Sequence, residues 1–97
     1  MIVKGKKDPK QKGRRVYNVN GALISAKHFV TRDTAPDNPF SPHKHEQTEL
    51  WFIIKGEAFY FENGKETPVK EGDMMVIKPW VEHGLRTNSS VKWICLG

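Results

Sequence analysis

Aromatic, β-branched and aliphatic residues recur at short intervals through the second half of the chain, and no stretch keeps helical spacing long enough for a long helix. Glu49 to Lys55 and Glu57 to Glu62 are rich in aromatic and β-branched types; Lys65 to Lys70, Met74 to Ile77, His83 to Thr87 and Val91 to Leu96 follow as further strands. Upstream, Ala22 to Val30 alternates small or apolar residues with others and reads as another strand. Asn63-Gly64 is the strongest turn signal, because both residues tolerate the positive φ of a type I′ hairpin. In that register Glu62 faces Lys65, an opposite-charge pair, and Phe59 faces Pro68, whose missing N–H assigns it to a sheet edge or an interruption. Asp33 to Pro42, with three prolines, reads as a loop. Short strands separated by turns predict an all-β sandwich or barrel.

Alternation also sorts faces. If Glu49 points inward, Trp51 and Ile53 follow it, while Leu50, Phe52 and Ile54 point out. An outer side with three large apolar residues predicts a cover: another sheet layer, the chain ends or, most economically, a second copy of the chain. With 97 residues the chain can bury only about 60 to 65% of its unfolded surface, so a homodimer would add stability.

The formal charge of +5 is concentrated at the start. Residues 1 to 15 hold seven Lys and Arg (Lys4, Lys6, Lys7, Lys10, Lys12, Arg14 and Arg15) against one acid, which leaves the rest nearly neutral. The chain thus divides into a basic arm, residues 1 to 15, and a single domain, residues 16 to 97. The arm lacks an aromatic residue to stack on a base, which favours a solvated or loosely tethered segment over a nucleic-acid interface. One cysteine excludes an intrachain disulfide, the start lacks a secretion-type apolar stretch, and no segment is apolar enough to span a membrane. A reducing cytoplasm is the expected setting. Asn88-Ser89-Ser90 reads as a polar turn.

The chemistry lies in His43-Lys44-His45-Glu46-Gln47-Thr48-Glu49 and in His83. Even spacing places His43, His45 and Glu49 on one side of an extended strand, so one strand can supply three ligands and a barrel can bring His83 alongside. Imidazole and carboxylate suit divalent iron, manganese, nickel, zinc or copper.

The pattern His-x-His, three residues, Glu49, six residues, Gly56 resembles the first motif of the cupin superfamily, and Gly72 to His83 resembles the second. The resemblance covers roughly residues 37 to 88. It implies a cupin double-stranded β-helix, or jelly-roll barrel, in which His43, His45, Glu49 and His83 bind one divalent metal ion per chain. It also implies dimers paired through a sheet, often with exchanged terminal strands, for which Arg15 to Val19 are suited. Departures stand at Asp37, where a glycine usually opens the first motif, and at Lys78 and Trp80, where proline and glycine are usual in the second. Pro79 can still stiffen the turn before His83. Trp80 either shapes the mouth of the site or packs outside. After the last histidine, Asn88 is only a near match to an asparagine sometimes found there.

His28 shares a face with Ala22, Ile24, Ala26 and Val30 by alternation, which makes it the one spare imidazole for proton transfer; the alternative is a core or surface histidine. Cys95 reads as a small buried hydrophobe, and no nucleophile with a base or phosphate-binding glycine loop stands out. Four protein ligands leave up to two positions on an octahedral ion, which suits a metal-dependent oxygenase or related oxidoreductase acting on a small organic molecule. Two alternatives remain. Glu49 to Ala58 is similar to a stretch of cupin-type sugar-phosphate isomerases, although Arg86 falls on the face opposite His83. A non-catalytic small-molecule binder or sensor is the other.

Overall fold

A computed structural model describes residues 1–22 and 24–97. The strands are β1 (Lys6–Lys7), β2 (Arg14–Tyr17), β3 (Phe29–Thr34), β4 (Phe40–His43), β5 (Glu49–Glu62), β6 (Lys65–Lys70), β7 (Met74–Ile77), β8 (His83–Arg86) and β9 (Val91–Leu96), with one 3-10 turn at Asn20–Ala22. Every strand pairing is antiparallel, and the order β1-β2-β3-β9-β5-β8-β4 curls one sheet upon itself, with β6 and β7 also joined to β5. The architecture is all-β, as expected.

β5 fuses what the sequence suggested were two strands. Its first half pairs with β7 and β9, and its second half with β6 and β8. The change of partners falls at Gly56, where φ is +96° and a Cβ would lie 2.3 Å from the Ser90 carbonyl oxygen. A side chain is excluded there both by backbone conformation and by space. The hairpin after β5 has the expected register, with Glu62 opposite Lys65 and Phe59 opposite Pro68. Asn63 and Gly64 take φ of 45° and 88°, and Pro68 lies on β6, whose only strand partner among the described residues is β5.

Two boundaries differ from expectation. Of Ala22 to Val30 only Phe29 and Val30 are in a strand, while Leu23 lies outside the described residues. The ladder to β9 begins at Phe29 opposite Leu96. β3 instead continues through Asp33 and Thr34, and β4 begins at Phe40, so the expected loop from Asp33 to Pro42 is shorter at both ends. Pro42 is tolerated in β4 because the register with β8 shifts between Phe40 and His43. The basic segment is not simply solvated: β2 pairs with β3 from Arg14 opposite Arg32 to Tyr17 opposite Phe29, and β1 pairs with β2. Residues 15 to 17, within the segment suited to exchange, thus pair with the chain's own β3.

Trp51 and Trp93, both fully buried, form the centre of the core with ring centroids 4.4 Å apart. Phe40 meets both edge-on. The indole N–H of Trp93 donates to Thr34 Oγ1 at 3.0 Å and that of Trp51 to Glu49 Oε1 at 3.1 Å, so neither buried donor is left unmade. Leu50, Phe52 and Ile54 face outward, and pairing sets Leu50 against Val76 and Phe52 against Met74. These residues form a continuous apolar stripe on which Phe52, Met74 and Val76 are exposed.

Candidate metal centre

Four backbone segments converge on one end of the barrel. His43 closes β4, His45 sits in the following loop, Glu49 opens β5 and His83 opens β8. The expectation that one strand carries His43, His45 and Glu49 is therefore corrected. β4 stops because His43 is paired across to His83 on β8, and the chain must then turn to enter β5. The His45 carbonyl accepts the Trp80 N–H at 2.8 Å, fastening this turn to the loop before His83. Gly84 permits the close approach of β4 and β8, since a Cβ there would lie 2.9 Å from the Phe40 carbonyl oxygen.

The candidate ligand nitrogens of His43, His45 and His83 lie within 4.8 Å of one another. Glu49 Oε1 faces the same space, 3.4 Å from His45 Nε2 and 3.8 Å from His83 Nε2. His83 is fully buried, and its Nδ1–H donates to the Val81 carbonyl at 2.7 Å. That bond fixes the tautomer and leaves the Nε2 lone pair directed at the centre. His83 Nε2 and both ring nitrogens of His45 are buried without a hydrogen-bond partner. Each such atom costs about 1–3 kcal/mol when nothing compensates it. A divalent cation would compensate the two Nε2 atoms together, and three imidazoles with one carboxylate are a fitting donor set. His43 stands at the exposed rim, where partial desolvation and then the charges of His83 and His45 push its pKa below the ordinary value, favouring the neutral form a metal requires.

His28 lies behind Glu49. Its Nε2 is 3.3 Å from Glu49 Oε2 and 3.4 Å from Cys95 Sγ, and its Nδ1 is 3.3 Å from Gln47 Nε2. The proposed alternation with Ile24 does not explain this position, because Ile24 is exposed and residues before Phe29 are not in the strand. His28 is held by Gly97: its N–H donates to the Gly97 carbonyl at 2.8 Å, and a Cβ at Gly97 would come within 3.0 Å of His28 Cε1. Burial and the Glu49 charge push the Cys95 thiol up to about 12, so it remains protonated. Arg86 is engaged outside by Glu66 at 2.7 Å, consistent with the face assigned to it. Trp80 is exposed and has a φ of +64°, so it adopts a glycine-like conformation with its indole outside the core.

Residues 32–97 match the family model described as the cupin domain. The chain is a cupin. An oxalate-binding protein of Thermotoga maritima is 29% identical to it over 66 residues, 67% of this cupin and 54% of the relative. The chain thus spans about half the length of that curated relative. The crystal structure of a predicted oxalate decarboxylase from Thermotoga maritima superposes with a TM-score of 0.77 at 22% identity, covering 99% of this cupin and 96% of that chain. An RmlC-like cupin with a double-stranded β-helix fold from Methanocaldococcus jannaschii gives 0.75 at 16% identity, covering 99% and 87%. The barrel is accordingly the cupin double-stranded β-helix.

Sequence reasoning missed Arg32, Gln47, Gly84 and Gly97. Arg32 was hidden by ending the strand at Val30: with β3 extended to Thr34, alternation from Val30 points Arg32 inward. Gly84 and Gly97 matter through contacts between distant segments, for which the linear sequence holds no local signal.

Proposed function

We propose that this cupin binds one divalent metal ion through His43, His45, Glu49 and His83 and uses it on a small organic molecule, with oxygenase-type oxidoreductase chemistry as the leading activity. The supporting observation is the convergence of unpartnered imidazole nitrogens and Glu49 Oε1 on one space. A bound iron, manganese or copper ion would supply redox chemistry at its open coordination positions, whereas zinc or nickel would supply Lewis acidity. The chain's part is to orient. Val81 sets the His83 tautomer, Trp51 and His28 fix opposite oxygens of Glu49, and His28 is the imidazole nearest to exchanging a proton with that carboxylate.

A second reading, binding without conversion, draws support from the relative named as an oxalate-binding protein. For either, a homodimer through the Leu50, Phe52 and Ile54 face is the proposed assembly.

Elemental analysis of wild type and His83→Ala tests the metal assignment: the variant should keep its far-ultraviolet circular dichroism and lose most of its metal. Full metal content in the variant would sink the assignment. Turnover of small phenols, thiols, diketones and sugars by iron, manganese, copper and zinc forms then separates the chemistries. Equal activity with zinc and iron would overturn redox catalysis, and ligand binding with no conversion in any form would favour the binder.

A further inference from the structure

We propose that Arg32 is the anion-gripping residue of a cavity that opens onto the metal centre, and that the small molecule taken there carries a carboxylate. The assignment of the ligand class rests on the metal-centre reading above.

Arg32 shares the inward face of β3 with Val30 and Thr34, both buried, and is paired across the ladder with the fully buried Trp93. Its guanidinium carbon lies 4.7 Å from the Phe40 ring centroid and 5.8 Å from that of Trp93. A positive charge at the wall of an aromatic core ordinarily has a carboxylate partner. Its ladder neighbour Arg14 has one, with Nη1 2.7 Å from Asp8 Oδ2. Arg32 does not: Nη1 donates to the neutral Gln11 Oε1 at 3.0 Å, Nε is buried without a partner, and among the described residues no carboxylate lies within 4.0 Å. Burial and then repulsion from Arg14 lower the Arg32 pKa, but a guanidinium stays charged in proteins. Arg32 is therefore a cation with no carboxylate in ion-pair contact among the described residues, Glu49 and Asp8 acting on it only from a distance.

That cation borders a cavity of about 530 Å3 whose wall also includes Lys10, Lys12, Thr34, Ser41 and His43. His43 is the rim member of the proposed ligand set, so the cavity reaches from Arg32 to the rim of that set. Phe40 lies between them, its centroid 4.8 Å from that of His43. Asp33, the acid on the wall, is 3.8 Å from Lys92 and Lys12 is 3.1 Å from Asp37, which leaves Arg32 and Lys10 to attract an anion. The guanidinium is a planar fork backed by aromatic rings, a shape that matches a planar carboxylate through paired N–H donors. A molecule with a carboxylate at Arg32 and a second oxygen function toward His43 would span the cavity.

Isothermal titration of the purified protein with succinate and malonate, their diamides and inorganic phosphate tests this. Wild type should bind the dicarboxylates, with the diamides and phosphate at least about 10-fold weaker. Arg32→Gln should weaken dicarboxylate binding by about 10-fold or more at unchanged metal content, and Arg32→Lys should restore only part of it. Repeating the titrations on chelator-treated protein isolates the arginine from the metal: overall affinity falls, but the difference between wild type and Arg32→Gln persists. Succinate should also raise the melting temperature of wild type and not of Arg32→Gln, a readout that exposes any misfolded variant. Equal dicarboxylate affinity in wild type and Arg32→Gln, no dicarboxylate binding by wild type, or diamides or phosphate binding as well as dicarboxylates would overturn the proposal. Failure of the metal reading shows separately, as unchanged metal content in His83→Ala.

Discussion

His28 Nε2 stands 3.3 Å from Glu49 Oε2, on the side of the carboxylate turned away from the three clustered histidines. Glu49 Oε1, turned toward them, is held by the Trp51 indole. His28→Ala should therefore leave a metal site with a freer carboxylate: metal affinity, measured by competition with a chelator, falls about 10- to 100-fold, as for other outer partners of metal ligands. Part of any activity should be lost with it. An affinity equal to wild type would remove His28 from the centre.

Acid should destabilise the metal-free protein. The His43 pKa in the folded chain lies below its ordinary value of 6.5, so on acidification the unfolded chain takes up this proton first. The contribution is fully present above 6.5 and is lost as pH falls from there through the lower folded value. Melting temperatures of chelator-treated protein between about pH 7 and pH 5 should fall, and less steeply in His43→Ala. An identical slope in the variant would refute the assignment.

Trp80→Gly should stabilise the fold. An L side chain at φ +64° is disfavoured, and the exposed indole of Trp80 offers little burial in return. Urea unfolding is expected to show a gain of about 1 kcal/mol. A loss of that size would mean that the indole makes a favourable contact in solution, as it would in a dimer.

Light scattering should give twice the chain mass at micromolar concentration. Phe52→Lys places a charge in the middle of the exposed stripe formed with Met74 and Val76, and should yield a monomer. Wild type that is itself monomeric would show that the stripe is tolerated in water.

The sequence made legible whatever depends on local spacing. The Asn63-Gly64 turn fixed the β5-β6 register because both residues accept positive φ, and alternation placed Trp51 and Ile53 in the core. The four candidate ligands were legible through spacing and resemblance, but the path joining His43 to Glu49 was not: a strand and a turn carry the same His-x-His pattern, and the pairing of His43 with His83 decides between them. His28 was singled out for the wrong reason, since the contact with Gly97 that holds it joins residues far apart in sequence at one end of the β3–β9 ladder. Arg32 was lost to a strand boundary misplaced by four residues.

Because β5 passes from one set of partners to another at Gly56, the barrel has no separable halves. Removing β5 would take from β6 and β7 their only strand partner among the described residues and would part β9 from β8. Heat or denaturant should then dismantle the molecule in a single cooperative transition, with every spectroscopic probe reporting the same midpoint.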